Sequence, residues 1–552
     1  MIDVIQALSV VLILGVTIVL AKLISPYIAG VFRQKPSHID RILNPVENFI
    51  YKVTGVNRGQ KMGWKQYFFA GLFLNIAMMV IGFLILVFQY KLPLNPMSFP
   101  GLHPDLAFMQ VISFATNTDL QHYNGEAAFS ILSQMGVLQW LQFTSAITGL
   151  CMGIAFIRGL TVDSKDMGNF YVDFTRAITR IFLPLCIVGS VIFLALGVPQ
   201  TLNAYTAVKT IEGTAQTILV GPVASLDSVM QIGTNGGGFY GANAAHPFMN
   251  PSPYTNILMI SLMLLLPTAL IFVFGEMIGK KRESRPLLWG AYLLFGLNLV
   301  IAFIPTLPLI APGIETRFGG FMSSFYTVTT TVATTGSLNS ALLGNHPLTI
   351  TSGFLGMFIQ SIPGGNGVGM MYMVMYIIIT VFIVGLMSGR TPEYLGMKIT
   401  GRDVKLVMIA FLIHPIIILV PTVIAYASGA VSAIGLSSSS VGYTQILYEF
   451  TTAAANNGSD FLGASGNTPF FNIATGIIML IGRYAPIAIL LALSGSMIGR
   501  KRGGTSSGLK TDTPVFTIVL IAAIIILVVL TFFPFLAIGP ITTFFRGLPN
   551  GY

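Results

Sequence analysis

Four short polar segments of this chain share a composition of Thr, Asn, Ser and Gly that suits the binding of a dehydrated cation. They are residues 116–118 (TNT), 234–238 (TNGGG), 334–337 (TTGS) and 456–459 (NNGS), and each lies between long apolar runs. Backbone carbonyl groups can replace the hydration shell of an ion when several segments converge on it, and glycine permits the backbone conformations that this requires. The pattern predicts an ion filter with four walls supplied by one chain.

The first segment contains no Gly, so the four walls cannot be identical. Its Thr and Asn residues still offer backbone carbonyls, together with hydroxyl and amide oxygens suited to a hard monovalent cation. Asp119 and Gln121 follow directly and are predicted to lie at the filter mouth. A capping Asp and a structural Gln are the alternative.

The composition places the chain in a membrane. Hydrophobic residues make up 54% of the 552 residues and charged residues only 9%, whereas soluble domains carry about 25% charged residues. Runs of about 20 apolar residues span a bilayer, and ten such runs are predicted as transmembrane helices near 4–24, 66–89, 132–156, 177–198, 256–278, 286–305, 353–387, 404–427, 470–498 and 514–538. The expected class is an all-α polytopic membrane protein embedded in a lipid bilayer.

The net charge of +10 is explained by orientation. Most Lys and Arg residues fall in alternate connections, and the positive-inside rule makes those connections cytoplasmic and both termini extracellular. Nucleic acid is therefore not an expected partner. Lys22 follows the first run and no basic residue precedes it, so this run is predicted to be a retained helix and not a cleaved signal.

The apolar runs and polar segments together suggest an internal repeat. Without the first and last runs, four pairs remain, each holding one polar segment in its outer connection. Short runs before these segments are predicted as pore helices at 104–115, 225–232, 323–333 and 444–455. The prediction is four membrane-pore-membrane repeats around a pseudo-fourfold axis, the alternative being ordinary extracellular loops with surface helices.

The expected organisation is an extra N-terminal helix (1–26), a basic cytoplasmic loop (27–65), repeats at 66–158, 177–280, 286–390 and 404–500, and an extra C-terminal helix (511–540).

Two further features could control passage of an ion. The second crossing of the third repeat is interrupted by PGGNGVG at 363–369, whose Gly364, Gly365 and Gly367 cannot continue a helix easily. This break is either a gate beneath the filter or a simple extracellular turn. Arg483 is a basic residue well inside a predicted span and could serve coupling or gating, or it could be a structural Arg bonded to helix-end carbonyls.

The sequence argues against catalysis by this chain. It has no Asp-Lys-Thr-Gly-Thr phosphorylation segment and no phosphate-binding lysine loop, so ATP hydrolysis is not expected. Cys151 and Cys186 lie in apolar runs and are predicted to be small core residues, and His246 is predicted to pack locally. No resident cofactor is expected.

At these loops the chain closely resembles the KdpA family, the potassium-translocating subunits of bacterial Kdp potassium-transporting ATPases. The matching strings lie at 116–121, 234–239, 243–247, 389–396, 455–459 and 482–483, and the resemblance covers essentially the full length. The most discriminating string is GRTPEYLG at 389–396, since potassium channels and Trk-type or Ktr-type transporters share the fourfold plan without it. The departures are Asp119-Leu120, where the family often has Asn-Trp, and Thr335, where a Cys is common. These departures fall at positions where the resemblance implies control of ion affinity and discrimination.

The resemblance implies a site and a set of partners. By position, the residues expected to coordinate potassium are Thr116, Asn117, Thr118, Asn235, Gly236, Gly237, Thr335, Gly336, Asn457 and Gly458. Gln121 would border this filter and Arg483 would lie below it. The implied partners are a KdpB-like P-type ATPase subunit, which would hydrolyse the ATP, and small KdpC-like and KdpF-like membrane subunits.

The expected function is selection of potassium from outside a bacterial cell and its transfer to an ATP-driven partner in the cell membrane. Potassium is the transported ion and the only metal expected. The alternative is a passive potassium channel or a Trk/Ktr-type uptake transporter.

Overall fold

Long apolar runs form helices here because a helix satisfies its own backbone hydrogen bonds, which lipid cannot do. The computed structural model describes residues 4–161, 165–304, 313–500 and 510–546. Within these ranges ten helical stretches are long and apolar enough to cross a membrane, and each corresponds to a predicted run. They are Ile5–Phe32, Trp64–Lys91, Ile131–Leu160, Phe170–Ala195, Pro253–Ile278, Lys281–Phe303, Val368–Met387, Gly401–Ala427, Pro469–Met497 and Pro514–Arg546. The protein is a multi-pass membrane protein.

The α-helices are numbered in chain order. They are α1 (Val4–Phe32), α2 (Asp40–Thr54), α3 (Trp64–Phe88), α4 (Pro104–Ala115), α5 (Gly125–Ala128), α6 (Ile131–Ser133), α7 (Trp140–Leu160), α8 (Phe170–Ala177), α9 (Leu183–Ala195), α10 (Val223–Gly233), α11 (Pro253–Ile278), α12 (Ser284–Phe303), α13 (Gly319–Val332), α14 (Pro347–Ile359), α15 (Val368–Met387), α16 (Gly401–Ala427), α17 (Ala430–Ala433), α18 (Ser440–Ala454), α19 (Pro469–Met497), α20 (Pro514–Leu536) and α21 (Thr542–Arg546).

Shorter helical pieces extend or join these helices. The 3₁₀ turns are Gln89–Lys91, Asn243–Ala245, Lys281–Glu283, Leu342–Gly344 and Gly463–Gly466. The π-helical segments are Gln134–Gln139, Ile178–Phe182 and Ala537–Ile541.

Two small antiparallel hairpins modify the expected all-α class. Strands β1 (Tyr205–Lys209) and β2 (Ala215–Leu219) pair with Tyr205 opposite Leu219. Strands β3 (Glu393–Tyr394) and β4 (Met397–Lys398) pair with Glu393 opposite Lys398. The second hairpin turns through the GRTPEYLG string, where Leu395 and Gly396 both have positive φ. The chain is mostly helical, with strands confined to connections.

The four short helices predicted before the polar segments are present as α4, α10, α13 and α18. The bounds of α4 match the prediction, while the other three begin two to four residues earlier than expected. Pro104 occupies the first turn of α4, where its missing N–H costs nothing. Most residues of these four helices are buried among the spans. They are therefore interior elements and not the surface helices of the alternative interpretation.

The segment 27–65, predicted as a basic cytoplasmic loop, contains helical structure. Helix α1 continues to Phe32, two turns beyond its predicted end, and α2 fills the middle of the segment. Arg33, just beyond α1, donates from Nη2 to the carbonyls of Glu276 and Met277, at 2.5 and 2.9 Å, near the end of α11. This contact fixes the end of α1, which packs along α11.

Candidate ion filter

Each of the four polar segments continues from a buried short helix through the same backbone turn. In each turn an N–H bonds to the carbonyl five residues earlier, and the residue before that N–H has a left-handed φ of 48 to 65°. The bonds are Thr118 N to Ser113 O (2.9 Å), Asn235 N to Met230 O (2.9 Å), Thr335 N to Thr330 O (2.8 Å) and Asn457 N to Thr452 O (2.9 Å). This shared turn defines four equivalent walls: the first (117–119), second (234–236), third (334–336) and fourth (456–458).

The shared turn also fixes which residues correspond. Asp119 occupies the place held by Gly236, Gly336 and Gly458 in the other walls. Asp119 has a φ of 58°, in the left-handed region, as do Gly336 at 102° and Gly458 at 90°. Thr116 lies one position before the first wall, at the end of α4, and its hydroxyl donates to Ile112 O at 2.8 Å. Asp119 thus belongs to the wall itself.

The glycines stand where the walls meet. A Cβ atom added to Gly336 would lie 1.9 Å from the Asn457 carbonyl oxygen and 2.7 Å from the Cα atom of Gly236. A Cβ added to Gly458 would lie 1.8 Å from the Thr118 carbonyl oxygen. These distances join the third wall to the fourth and second, and the fourth to the first. The four segments predicted from composition therefore converge at one place, lined by carbonyl groups.

The second segment shows why its three glycines occur together. A Cβ on Gly236 would meet Thr118 O at 2.4 Å, and one on Gly237 would meet Asp119 O at 2.6 Å. Gln121 accepts from Gly238 N–H at 3.2 Å and donates to Gly238 O at 3.0 Å, so it joins the first and second segments just beyond the walls. Gln142 on α7 donates to Gly237 O at 2.5 Å. Backbone packs directly on backbone here.

The Asn side chains of the walls cross-link the site. Asn117 donates to Thr234 O at 2.6 Å, Asn456 donates to the Thr118 hydroxyl at 2.9 Å and Asn457 donates to Thr330 O at 2.9 Å. Their amide groups are thus engaged with neighbouring walls and helices, which tie the loops into a fixed frame. The carbonyl groups of the backbone are left as the main candidate ligands.

Two hydroxyl groups that the sequence did not single out support the third and fourth walls. The N–H of Gly336 donates to Thr330 Oγ1 at 2.8 Å, and that of Gly458 donates to Thr452 Oγ1 at 2.9 Å. In both walls a Thr stands six residues before the Gly. That spacing is visible in the sequence and could have identified these supporting residues.

Asp119 introduces a charge-bearing group into the first wall. Its side chain is fully buried, and neither carboxylate oxygen makes a hydrogen bond of ordinary geometry, although the Gln142 side chain and the Gly236 N–H lie nearby. An unpaired carboxylate is costly inside a protein. The Asp119 carboxyl group is therefore a buried, poorly compensated polar group beside the place where the walls meet.

A buried network ties His122, which follows the first segment, to α18 and α19. His122 Nε2 lies 2.9 Å from Glu449 Oε1 on α18, and His122 Nδ1 lies 2.8 Å from Asn472 Oδ1 on α19. Because Asn472 Nδ2 donates to Asp105 at 2.8 Å, its oxygen faces His122 and Nδ1 must carry a proton. Nε2 and Glu449 then share the second proton, which holds the loop after α4 against α18.

The predicted break in the third repeat separates α14 from α15 and lies inside the molecule. Residues 360–367 are buried throughout. Asn366 donates to Ile232 O, at 2.9 Å, near the end of α10, and Gly364 N–H donates to Val332 O, at 3.0 Å, at the end of α13. A Cβ on Gly367 would lie 2.0 Å from the Gly149 carbonyl oxygen of α7. The segment is therefore packed inside the protein against the C-terminal ends of α10 and α13, which does not fit an exposed turn.

Arg483 on α19 is buried beside the same segment. Its Nη2 donates to Ser145 O on α7 at 3.2 Å, and a Cβ on Gly149 would lie 2.6 Å from Nη2 and 2.7 Å from Asn366 O. The guanidinium and the broken segment therefore adjoin the same turn of α7. Within the described ranges no acidic group forms an ion pair with Arg483.

The remaining residues considered from the sequence have structural environments. His246 stacks on Tyr240 with ring centroids 3.6 Å apart and accepts from Phe248 N–H at 3.2 Å, and burial lowers its pKa to about 4. Cys151 and Cys186 are buried and unpaired with each other. Among the described residues, no group of three or more His, Cys, Asp or Glu side chains could hold a metal ion.

This architecture is that of a polytopic membrane protein whose interior loops meet in one oxygen-lined centre. A solved structure of the potassium transporter TrkH from Vibrio parahaemolyticus has a similar fold, with a TM-score of 0.50 over 88% of this chain and 98% of TrkH, at 15% identity.

The family description "KdpA: Potassium-transporting ATPase A subunit" matches residues 11–545. Three relatives, each named potassium-transporting ATPase potassium-binding subunit, come from Caldanaerobacter subterraneus, Geobacillus kaustophilus and Alicyclobacillus acidocaldarius. They are 43, 42 and 45% identical to this chain over 96, 96 and 93% of its length and 98, 97 and 94% of their own. The chain belongs to the KdpA family.

Proposed function

We propose that this chain is the potassium-binding and translocating subunit of an ATP-driven potassium uptake pump in a bacterial plasma membrane. The observation that carries the proposal is the convergence of the four walls, in which Thr118 O and Asn457 O lie against the glycines of neighbouring walls. Carbonyl groups converging from four sides can replace the water shell of potassium. Membership of the KdpA family supports the choice of ion and of a pump.

The proposed architecture has four membrane-pore-membrane repeats about a pseudo-fourfold axis, with α1 and α20 as the extra helices. The equivalence of the four turns supports this arrangement, since it recurs after α4, α10, α13 and α18. Alternation of the basic connections supports extracellular termini. Potassium would then enter from the side on which the four short helices begin.

The filter would hold potassium through the backbone of Thr118, Asn235, Thr335 and Asn457 and of the residues that follow them. Gln121 and Gly237 would shape the entrance, and Thr116 would support the first wall from behind. Asn117, the first residue of that wall, would hold it against the second wall through its bond to Thr234 O. Thr335 provides a buried hydroxyl without a hydrogen-bonding partner, which is available to face an ion. Asp119 would modulate affinity from within the first wall.

Beneath the filter, the broken segment with Gly364, Gly365 and Gly367 would act as a gate, and Arg483 beside it would repel a cation from the direct exit. Irregular backbone at membrane depth is tolerated where it lines a cavity or is packed in protein. Arg483→Ala is expected to change the ratio of potassium moved to ATP hydrolysed, or to cause leak. Unchanged transport rate and stoichiometry would remove this role.

ATP hydrolysis is assigned to a KdpB-like P-type ATPase partner, with KdpC-like and KdpF-like small subunits completing the complex. The test is to purify the chain with its co-purifying subunits and to measure potassium-stimulated ATP hydrolysis. Hydrolysis that rises with potassium and is lost when the ATPase subunit is removed would support the pump. Potassium flux without ATP, from a chain that brings no ATPase with it, would instead favour a passive channel or a Trk/Ktr-type transporter.

A further inference from the structure

Helix α2 carries an apolar stripe that nothing in the structure covers. Ile42, Val46, Phe49 and Val53 are spaced four, three and four residues apart, so they lie on one face. Their exposed fractions are 72, 48, 67 and 69%. Four neighbouring side chains of this kind on a 15-residue helix form a continuous apolar surface.

The opposite face of α2 is fastened to the protein by ionic contacts. Arg180 binds Glu47 through Nε at 2.6 Å, binds Asp40, and donates to Asn44 Oδ1 at 2.8 Å. Thr179 donates to Glu47 Oε1 at 2.8 Å. The hydrogen bond from Arg180 also lowers the pKa of Asp40. Because α2 is held from behind by these contacts, its stripe must point away from the protein.

These contacts also set the level of α2 relative to the membrane. Arg180 lies inside the span Phe170–Ala195, and its carbonyl accepts from the Tyr27 hydroxyl at 3.0 Å. Tyr27 is five residues before the end of α1, about 8 Å along the helix axis. Leu23 of α1 and Ile187 of α9, two apolar residues of candidate spans, are more than half exposed and would face the lipid. The stripe is therefore at the edge of the lipid-facing surface.

The charges around the stripe are of one sign. Both acidic residues of α2 are engaged by Arg180, whereas Arg41 and Lys52 are exposed. Each precedes a stripe residue, so they lie along the same edge of the stripe, about three turns apart. An apolar face edged by cations suits an interface with anionic lipid headgroups.

We propose that α2 is an interfacial helix, which inserts its stripe into the leaflet on the side opposite the filter entrance and binds anionic lipid headgroups through Arg41 and Lys52. Such a helix would fix the level of α1 and of the Phe170–Ala195 span in the bilayer through Arg180. This role is independent of the filter, because α2 makes its contacts with the opposite end of the spans.

Spin labels on the full-length chain in lipid nanodiscs test the insertion. Phe49→Cys places a label on the stripe, and the neighbouring exposed Asn48→Cys places one off it, while Cys151 and Cys186 are buried and stay in place. We expect the label at 49 to be reached by lipid-soluble oxygen and protected from an aqueous nickel complex, with the reverse at 48. A ratio of oxygen accessibility to nickel-complex accessibility that is higher at 49 than at 48 corresponds to insertion at the headgroup boundary.

The lipid preference is tested by replacing neutral phosphatidylcholine with phosphatidylglycerol. Insertion at position 49 should strengthen with the anionic lipid, and Arg41→Gln and Lys52→Gln should each weaken that dependence about fivefold. Lys61→Gln, which removes a cation paired with Asp166, is the matched control and should leave the dependence on anionic lipid unchanged.

Equal accessibility of the labels at 48 and 49 to oxygen and to the nickel complex would overturn the proposal. Protection at 49 only after the other subunits of the complex are added would also overturn it, since a protein would then be the occupant. If insertion at position 49 is equally strong in phosphatidylcholine and in phosphatidylglycerol, the proposed role of Arg41 and Lys52 is refuted.

Discussion

The first and fourth walls of the filter share a backbone turn but are supported by different chemistry. The fourth wall uses Gly458, whose N–H is held by the hydroxyl of Thr452. The first wall uses Asp119 in the same left-handed conformation, and its N–H bonds at 3.0 Å to the carbonyl of Ser113. The same backbone turn is thus formed with a glycine in the fourth wall and with a buried acidic residue in the first wall.

The difference shows that glycine is required where backbones collide, and not by the turn itself. Asp is among the residues that tolerate the left-handed region. At Gly458 a side chain would meet a carbonyl oxygen, whereas Asp119 directs its side chain into space that accepts it. The asymmetry also places the only acidic side chain of the four walls on one side of the proposed ion site.

The largest effect is expected from a side chain at the fourth wall. Gly458→Ala should lower potassium affinity at least a hundredfold, about 2.7 kcal/mol, because its Cβ would lie 1.8 Å from Thr118 O. Gly458→Asp and Gly236→Asp should be at least as damaging. Potassium binding to the purified complex measures the loss.

Gly429→Ala is the matched control, because Gly429 also has a positive φ, of 75°, but has open space around it. It should cost only the strain of the left-handed conformation, about 1 kcal/mol in stability, with potassium affinity unchanged. Equal effects of the two substitutions would mean that conformation, and not the meeting of the walls, explains the glycine.

An intermediate effect is expected at the first wall. Asp119→Asn keeps the shape of the side chain and removes its capacity for negative charge, so potassium affinity should fall by about tenfold, or about 1.4 kcal/mol. Titration of potassium-stimulated ATP hydrolysis measures it. Asp227→Asn, at a buried acid of α10 outside the walls, should leave affinity unaltered. If Asp119→Asn binds potassium as tightly as the native chain, the carboxylate is only a space-filling group.

The smallest effect is expected from the hydroxyl support of the fourth wall. Thr452→Val leaves the N–H of Gly458 without its partner, which costs about 1–3 kcal/mol in stability when the group is buried, and should reduce discrimination against rubidium a few-fold. Thr451→Val removes a hydroxyl that bonds only within α18, at 2.7 Å to Leu447 O, and is the control. Identical selectivity of both variants would show that this hydroxyl does not shape the wall.

The positions of the helices could be predicted from the sequence, but the equivalence of residues between the four walls could not. The short apolar run that begins at Pro104 was enough to predict α4. The glycines at 363–369 were enough to predict the break between α14 and α15. The sequence predicts Asp119 at the filter mouth, whereas the backbone bonds give it the position of Gly236 in the second wall, because the letters of TNT and TNG align one residue away from that equivalence. The link between His122 and Glu449 could not be predicted, since the two residues are 327 positions apart. Helix α2 has a signal in the sequence, the spacing of Ile42, Val46, Phe49 and Val53, but a prediction based on long apolar runs does not detect it.

The most direct test of the central claim is to locate the ion itself. A density map of the complex, compared between potassium and thallium as the bound cation, should show a peak enclosed by the carbonyl groups of the four walls, beside Thr118 O and Asn457 O. Strong cation density at that point, replaced by thallium, is the predicted result. A map in which the walls are separated, or in which the cation lies elsewhere while the walls meet without it, would contradict the account.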